Sequence, residues 1–414
     1  MRNTGFLWMI VAILFLLDLY VFQALKVVAP ESPRMRTVLF LFYWVIAAGC
    51  LALLILLPTI SWENWPKTLR TYAFAIVVGL FFSKLIASIF LAIDDLRRGS
   101  MWILGKLFSN PSLAVSQSAS GINRSTFMSW LGLALGGSLF ATLLYGFNNK
   151  YSYQVRRMRL TFKNLPEAFK GLRIVHISDI HSGSFTDKHA VIKGVDKIMH
   201  QKPDLILFTG DLVNDRASEM QDYMEVFGRL NAPLGVYSTL GNHDYGDYVR
   251  WESLESKQAN LERLKGVHQE LGWRLLMNEH VVLEKEGQQI ALMGIENWSA
   301  KGNFPKYGKM EQAYDGTAAY PFKILMSHDP SHWEAQVIRN YPDVDLMLSG
   351  HTHGMQFGVE IPGLRWSPVQ YVYKQWAGLY ETERQKLYVN RGFGFLGYPG
   401  RVGILPEITV LELA

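Results

Sequence analysis

Residues 173–182 read Arg-Ile-Val-His-Ile-Ser-Asp-Ile-His-Ser, an apolar, β-branched run that ends in an acid and an imidazole two positions apart. A short apolar run of this kind reads as a buried strand, and the polar residues mark where the chain leaves it. The pattern recurs downstream: 204–211 closes on Thr-Gly-Asp, 234–244 on Gly-Asn-His-Asp, 323–328 on Ser-His and 345–353 on Gly-His-Thr-His. We read strands at 173–178, 204–209, 234–240, 290–295, 323–327 and 345–349, separated by helices at 187–200, 219–230, 257–271 and 331–340. That alternation predicts an α/β domain. From Met355 the chain is richer in Gly, Pro and aromatics, and its last strands are expected at 387–390 and 408–413.

Open α/β sheets carry their sites beyond the carboxyl ends of the strands. Asp179, His181, Asp211, Asn242, His243, His328, His351 and His353 should therefore converge on one rim. Gly210, Gly241 and Gly350 would let the chain turn sharply off its strands. Mixed N/O donors suit Mn, Fe, Zn or Co. A thiolate site is excluded, because the single cysteine, Cys50, lies in an apolar N-terminal run. Four imidazoles, two carboxylates and a carboxamide suffice for two divalent ions sharing one carboxylate, the usual clamp for displacement at phosphorus. Each motif alone is ordinarily structural; the weight lies in the ordered set. Of the remaining histidines, His176 should be a satisfied core residue, and His189, His200, His268, His280 and His332 should be solvated.

Working outward, the N-terminal third is different. Four apolar runs, 6–25, 38–60, 72–93 and 127–147, each meet the roughly 20 residues a bilayer-spanning helix needs. The first is too long for a signal peptide and lacks a small-residue cleavage site. Residues 1–150 hold 12 Lys+Arg against 5 Asp+Glu, a net +7, whereas the rest hold 29 against 31, a net −2. The basic excess thus flanks the membrane runs, and no nucleic-acid footprint is expected. With 49% hydrophobic and 13% aromatic residues, the 414-residue chain is neither disordered nor collagen-like. Asp18 and Lys84 sit inside the first and third runs and are expected to pair. Gly132 and Gly136 give the fourth run a face for close helix packing. Four spans put both ends of the membrane domain on one side. Basic residues divide 8 against 7 between the two sides, but the dense group after the fourth run favours a cytoplasmic C-terminal domain in the cell's inner membrane.

The ordered motifs Asp179-x-His181, Gly210-Asp211, Gly241-Asn242-His243-Asp244, His328 and Gly350-His351-x-His353 resemble the calcineurin-like metallophosphoesterases. The stretch from Tyr388-Val-Asn-Arg-Gly-Phe-Gly to Pro406-Glu-Ile-Thr resembles their bacterial membrane-associated branch. The likeness covers 171–414 and implies a four-layer α/β/β/α sandwich, here preceded by an α-helical four-span membrane domain (1–150) and a linker with a first strand (151–170). It further implies one ion on Asp179, His181 and His353, a second on Asn242, His328 and His351, and Asp211 bridging both. A hydroxide between the ions would attack phosphorus, and His243 would protonate the leaving oxygen. Many members of the family carry an Asp three residues after the bridging one to orient that histidine. Here the place is taken by Asn214, followed by Asp215, so either an uncharged or a displaced partner is expected; Asp244 should be a supporting or turn residue.

The expected activity is hydrolysis of a phosphodiester or pyrophosphate. Phosphomonoester or phosphoprotein hydrolysis and a silent membrane metal sensor are the alternatives. Anchoring by four spans suits a lipid substrate, and the bilayer is the expected partner. The segment 298–320, with Trp298, Phe304, Tyr307, Tyr314 and Tyr320 beside Lys301, Lys306 and Lys309, reads either as a lid for a phospholipid head or as an ordinary surface insertion.

Overall fold

Apolar runs free of internal proline coil into four long helices: α1 (Thr4–Val28), α2 (Pro33–Leu56), α3 (Lys67–Phe108) and α4 (Arg124–Gly146). They belong to the computed structural model of the chain, which describes residues 4–56, 59, 65–108, 123–302, 304 and 306–414. The chain divides into two compact units, Met1–Tyr145 and Gly146–Ala414. All four helices are long and apolar enough to cross a membrane. The end of the second expected run, 57–60, lies largely outside the described residues.

The third helix is longer than the sequence reading. It continues past residue 93 to Phe108, through a charged turn in which Arg97 donates to Asp94 at 2.8 Å. Ion pairs at i,i+3 support a helix where apolar packing stops. Lys84 is ion-paired with Asp18, and Tyr43 donates to the Asp18 carboxylate at 3.2 Å and to its backbone carbonyl at 2.8 Å. A Cβ at Gly132 would stand 2.9 Å from the Ala87 carbonyl oxygen, and one at Gly136 would collide with that of Ser83, so both glycines let α4 close on α3.

Among its described residues the second unit holds fourteen strands. In chain order they are β1 (Gln154–Leu160), β2 (Arg173–Ile177), β3 (Leu205–Phe208), β4 (Val236–Ser238), β5 (Arg274–Leu275), β6 (Glu279–Lys285) and β7 (Gln288–Gly294). There follow β8 (Lys323–Met326), β9 (Leu346–Ser349), β10 (Val359–Ile361), β11 (Leu364–Trp366), β12 (Gly378–Glu381), β13 (Lys386–Val389) and β14 (Glu407–Leu413). Two six-stranded sheets form, β1-β14-β2-β3-β4-β5 and β12-β13-β9-β8-β7-β6, with β10–β11 as a separate ribbon. Strands β2 to β5 run parallel, as do β7, β8, β9 and β13.

Side-chain alternation along these strands builds the layers. Ile174, Leu205, Leu207, Ile324, Met326, Leu346 and Leu348 meet between the two sheets. The alternate residues Val175, Ile177, Ile206 and Phe208 face outward to Val191, Val195 and Ile198 of α5 (Lys188–Met199) and Leu264 and Val267 of α6 (Leu254–Glu270). Leu325 and Met347 face the opposite way, to Met310, Trp333 and Val337. The architecture is thus the expected four-layer α/β/β/α sandwich. Each such Leu or Phe contributes about 1.5–3 kcal/mol on burial.

Several elements differ from the sequence reading. The helix expected at 219–230 is a 3₁₀ stretch, Ala217–Tyr223, and one α-turn, Met224–Phe227. The one expected at 331–340 is a widened turn, Trp333–Val337, with a short α-helical end. Strands β5, β6 and β10–β12 went unread, because they are short or edge strands with mixed burial. His268 and His332 are buried, not solvated. His268 falls on the apolar stripe of α6 four residues after Leu264, and His332 is held between Ser327 and Gln336.

Candidate metal centre

Every candidate side chain sits where a strand gives way to a loop. Asp179 and His181 follow β2, Asp211 follows β3, Asn242 and His243 follow β4, His328 follows β8, and His351 and His353 follow β9. Parallel strands align these exits on one edge of both sheets. The turns are unusually tight: Asp179, His181, Asp211, His351 and His353 all have φ between +49 and +70. Such φ values are strained for residues bearing a Cβ and cluster at functional sites. Of the three glycines expected to turn the chain, only Gly210 has a positive φ, at +93. Gly241 and Gly350 act by size: a Cβ there would collide with the carboxylates of Asp211 and Asp179, respectively.

Two groups of donor atoms result, Asp179 with His181 and His353, and Asp211 with His328 and His351. His181 Nε2 is 3.0 Å from His353 Nε2, which is 3.3 Å from Asp179 Oδ1. Asp211 Oδ2 stands between the groups, 3.5 Å from His181 Nε2 and 3.2 Å from His328 Nε2. Asn242 joins the second group, its Oδ1 2.8 Å from His351 Nδ1. All of the first group and Asp211, Asn242 and His328 are buried.

Burial and closely opposed charges shift these groups strongly. Burial pushes His181 down to about 3, against the pull of Asp211. Burial would also depress His328, but Asp211 beside it drives it up to about 10, and Asp211 itself is held well below the carboxylate range by its histidine neighbours. His328 Nε2 is buried 3.2 Å from Asp211 Oδ2, with no well-aligned hydrogen bond between them. Donor atoms gathered this closely could hold a metal ion.

Supporting contacts fix which nitrogen the rings of His328 and His243 present. His328 Nδ1 donates to the Thr209 carbonyl at 2.7 Å, which leaves Nε2 for the cluster. His243 Nδ1 donates to the backbone carbonyl of Asn214 at 2.8 Å. Asn214 is thus the uncharged partner, though through its backbone: its amide bonds Ser184, and the alternative, Asp215, has an Oδ1 with no partner, burial raising its carboxyl to about 6. Asp244 accepts the N–H groups of Asp211 and Leu212 at 2.8 Å and of Gly241 at 2.9 Å. It ties the loops after β3 and β4 together.

Four residues escaped the sequence reading. Tyr248 accepts from Asn242 Nδ2 at 2.8 Å, turning the amide oxygen toward His351, and packs on the His243 ring at 4.4 Å. Tyr373 OH lies 2.9 Å from His351 Nε2 and donates to Asp329 Oδ2 at 3.1 Å. Arg401, fully buried and lowered by burial to about 9, spans the carbonyls of Arg391, Gly392 and Gly394 and lies 3.3 Å from His353 Nδ1. Only Asp329, adjacent to His328, carried a local signal. Within 298–320, Phe304 meets the His351 ring edge-on at 5.0 Å, whereas Trp298 packs on His332 and Tyr307 on Tyr245. Positions 303 and 305 of that segment lie outside the described residues.

Residues 1–150 match the family described as a probable calcineurin-like phosphoesterase transmembrane domain, and 172–355 match the calcineurin-like phosphoesterases. A transmembrane protein with metallophosphoesterase domain from Danio rerio is 28% identical over 93% of this chain and 82% of its own length. Phosphodiesterase YaeI of Escherichia coli is 31% identical over 63% of this chain and 88% of its own length. The UDP-2,3-diacylglucosamine pyrophosphatase LpxG of Chlamydia muridarum is 28% identical over 56% and 81%.

Proposed function

The chain belongs to the calcineurin-like phosphoesterase family, and from that premise we propose that it hydrolyses a phosphodiester or pyrophosphate bond in a membrane-borne lipid. The observation that carries this reading is the pair of donor groups meeting at Asp211 Oδ2. We propose that Asp179, His181 and His353 hold one divalent ion, that Asn242, His328 and His351 hold another, and that Asp211 serves both. The N/O donor set suits Mn, Fe, Zn or Co. Divalent ions held there supply Lewis acidity to phosphoryl oxygens and lower the pKa of water.

The chain's own groups do the rest. His243, fixed through Nδ1 by the Asn214 carbonyl, presents Nε2 to the site. In its doubly protonated form it can hand that proton to the leaving oxygen. Tyr248 holds both His243 and Asn242 in place.

The lipid reading is supported by the four apolar helices and by Phe304 reaching His351 from an aromatic and basic segment. It also draws on the relative named for a diacylglucosamine pyrophosphate. We place the catalytic domain on the cytoplasmic side of the cell membrane, from the basic residues that follow α4.

The test uses the full chain, purified in detergent and loaded separately with Mn, Fe or Zn. Metal content is measured together with turnover of bis-p-nitrophenyl phosphate, a lipid pyrophosphate and p-nitrophenyl phosphate. The proposal expects bound metal and cleavage of the diester or pyrophosphate, with the monoester left. Preference for the monoester, or protein that takes up no divalent ion, would overturn it.

A further inference from the structure

The ribbon β10–β11 is built inside out. A surface hairpin ordinarily turns its apolar face to the domain and its polar face to water. Pairing here puts Val359 opposite Trp366 and Ile361 opposite Leu364, and Glu360 opposite Arg365. Because side chains alternate across a strand, the first two pairs share one face and the charged pair occupies the other.

The charged face is the one tied to the domain, through the half-buried Glu360 and the bonded tip of the exposed Arg365. Glu360 accepts from Arg391, itself buried, at 2.6 Å and from Arg156 at 2.5 Å. Arg365 donates to the Ala377 carbonyl at 2.6 Å and lies 5.2 Å from the Trp376 ring centroid. The apolar face looks outward, with Ile361 58% and Leu364 51% exposed on either side of a Pro362-Gly363 turn. Turns at the tips of water-facing hairpins are normally polar. Nearby Tyr371 is 77% exposed. Of the ten large hydrophobic side chains exposed among the described residues of Gly146–Ala414, six fall between 355 and 372. Clustering of that kind marks an interaction surface, whereas singly scattered apolar residues do not.

The chain's own architecture supplies the matching environment. Only residues 147–153 separate the end of α4 from β1. They reach roughly 25 Å at full extension, so the domain cannot leave the neighbourhood of the bilayer that α4 is built to cross. Trp366 and Tyr371, joined by a 3.4 Å Nε1–OH contact, are of the types that collect at the lipid–water boundary. The ribbon also abuts the metal centre: Ser367, next after β11, donates to the Gly354 carbonyl at 2.8 Å, one residue past His353.

We propose that the outward face of β10–β11, with Tyr371 and Val372, docks into the interfacial layer of the bilayer that anchors the chain. The mouth of the metal centre then opens at the depth of lipid head groups. The proposal stands independently of which bond the centre cleaves.

The test uses the full chain with Cys50→Ser, reconstituted one copy per nanodisc. A fluorophore is placed on Ile361→Cys, or on Lys170→Cys before β2 as a control at the opposite end of the strands. Nanodiscs carry a phosphatidylcholine spin-labelled near the head group. The label at 361 should lose roughly half its emission to the lipid quencher, and the one at 170 almost none. A label on Val372→Cys should respond likewise, and should lose that response when Ile361→Gln and Leu364→Gln are added. If the label at 361 is quenched by aqueous iodide and not by lipid, the face lies in water and the proposal fails. If it is shielded from both, a protein partner or a second copy covers it, and the proposal fails equally. None of these readouts depends on turnover, so failure here is distinct from failure of the catalytic reading.

Discussion

Asp329 belongs to neither donor group, yet its replacement by Asn should weaken one ion and spare the other. Its Oδ2 accepts from Tyr373 OH at 3.1 Å and stands 3.5 Å from His351 Nε2. Its Oδ1 accepts from the Ser331 N–H at 2.8 Å, which fixes the carboxylate plane. A negative charge there favours the His351 tautomer with its proton on Nε2, and so frees Nδ1, beside Asn242 Oδ1, to ligate. Asp329→Asn keeps the shape and removes the charge. Losing such a partner ordinarily costs about 10–100-fold in metal affinity, or roughly 1.4–2.8 kcal/mol. Tyr373→Phe deletes the hydrogen bond that Asp329 accepts but keeps the carboxylate's charge and leaves it free to approach His351. The Asn variant should therefore be the weaker binder. Stepwise competition against a chromophoric chelator, on the full chain in detergent, resolves the two ions. Equal weakening of both ions, or a Phe variant as damaged as the Asn variant, would refute the argument.

Other expectations follow from the same contacts. Asn242→Ala should lower metal content, whereas His243→Ala should keep its metal and slow substrates with poor leaving groups by about 10²–10⁴-fold; metal loss in the His243 variant would reassign that residue. His268 is buried with both ring nitrogens unpartnered and is depressed by burial from 6.5 to about 3. The unfolded chain therefore binds the extra proton first, and stability falls as pH drops from 6.5 toward 3, by about 2 kcal/mol at pH 5. His268→Leu should flatten that decline in thermal melts and raise stability at pH 8 as well; an unchanged acid slope would count against it. Asp18→Asn or Lys84→Met alone should each strand a buried charge and cost about 3–5 kcal/mol, while the double variant recovers most of that loss. Additive losses in detergent melts would show that the pair is not coupled.

The legibility of this chain in its sequence varies with the physical cause. Burial repeats along a strand, so the apolar runs at β2, β3, β8 and β9 announce themselves, as do the polar residues that end them. Edge strands such as β6, with burial on alternate residues only, resemble amphipathic loops. Supporting contacts are harder still. Tyr373 reaches His351 across 22 positions and Arg401 reaches His353 across 48, through backbone turns that leave no spacing rule. His243 shows the limit most clearly, since its partner is a backbone carbonyl that any residue at 214 would have supplied. The basic group after α4 is also less telling than it reads. Arg156 and Arg159 lie on β1, where they face Glu360 and Glu412, and Arg157 donates to Gln201, so their charges serve the domain as well as its topology.

The left-handed residues explain why the centre needs so many supports. Five side chains of the two donor groups sit at positive φ, each at a cost of about 1–3 kcal/mol. Burial of two carboxylates and four imidazoles adds to that burden when no cation is present. A fold tolerates such a load only where the surroundings over-determine it, and here they do. Asp244 gathers N–H groups from the exits of β3 and β4, both Asp179 oxygens take the His351 N–H at 3.0 Å, and the missing side chains of Gly241 and Gly350 leave the carboxylates room. The strain therefore buys position: side chains leaving four separate strands arrive at two shared points before any ion binds. A Cβ at Gly350 would press on Asp179, and through the His351 N–H on the second group too. That is why this glycine, conformationally ordinary by its own φ, is as constrained by the centre as the donor residues themselves.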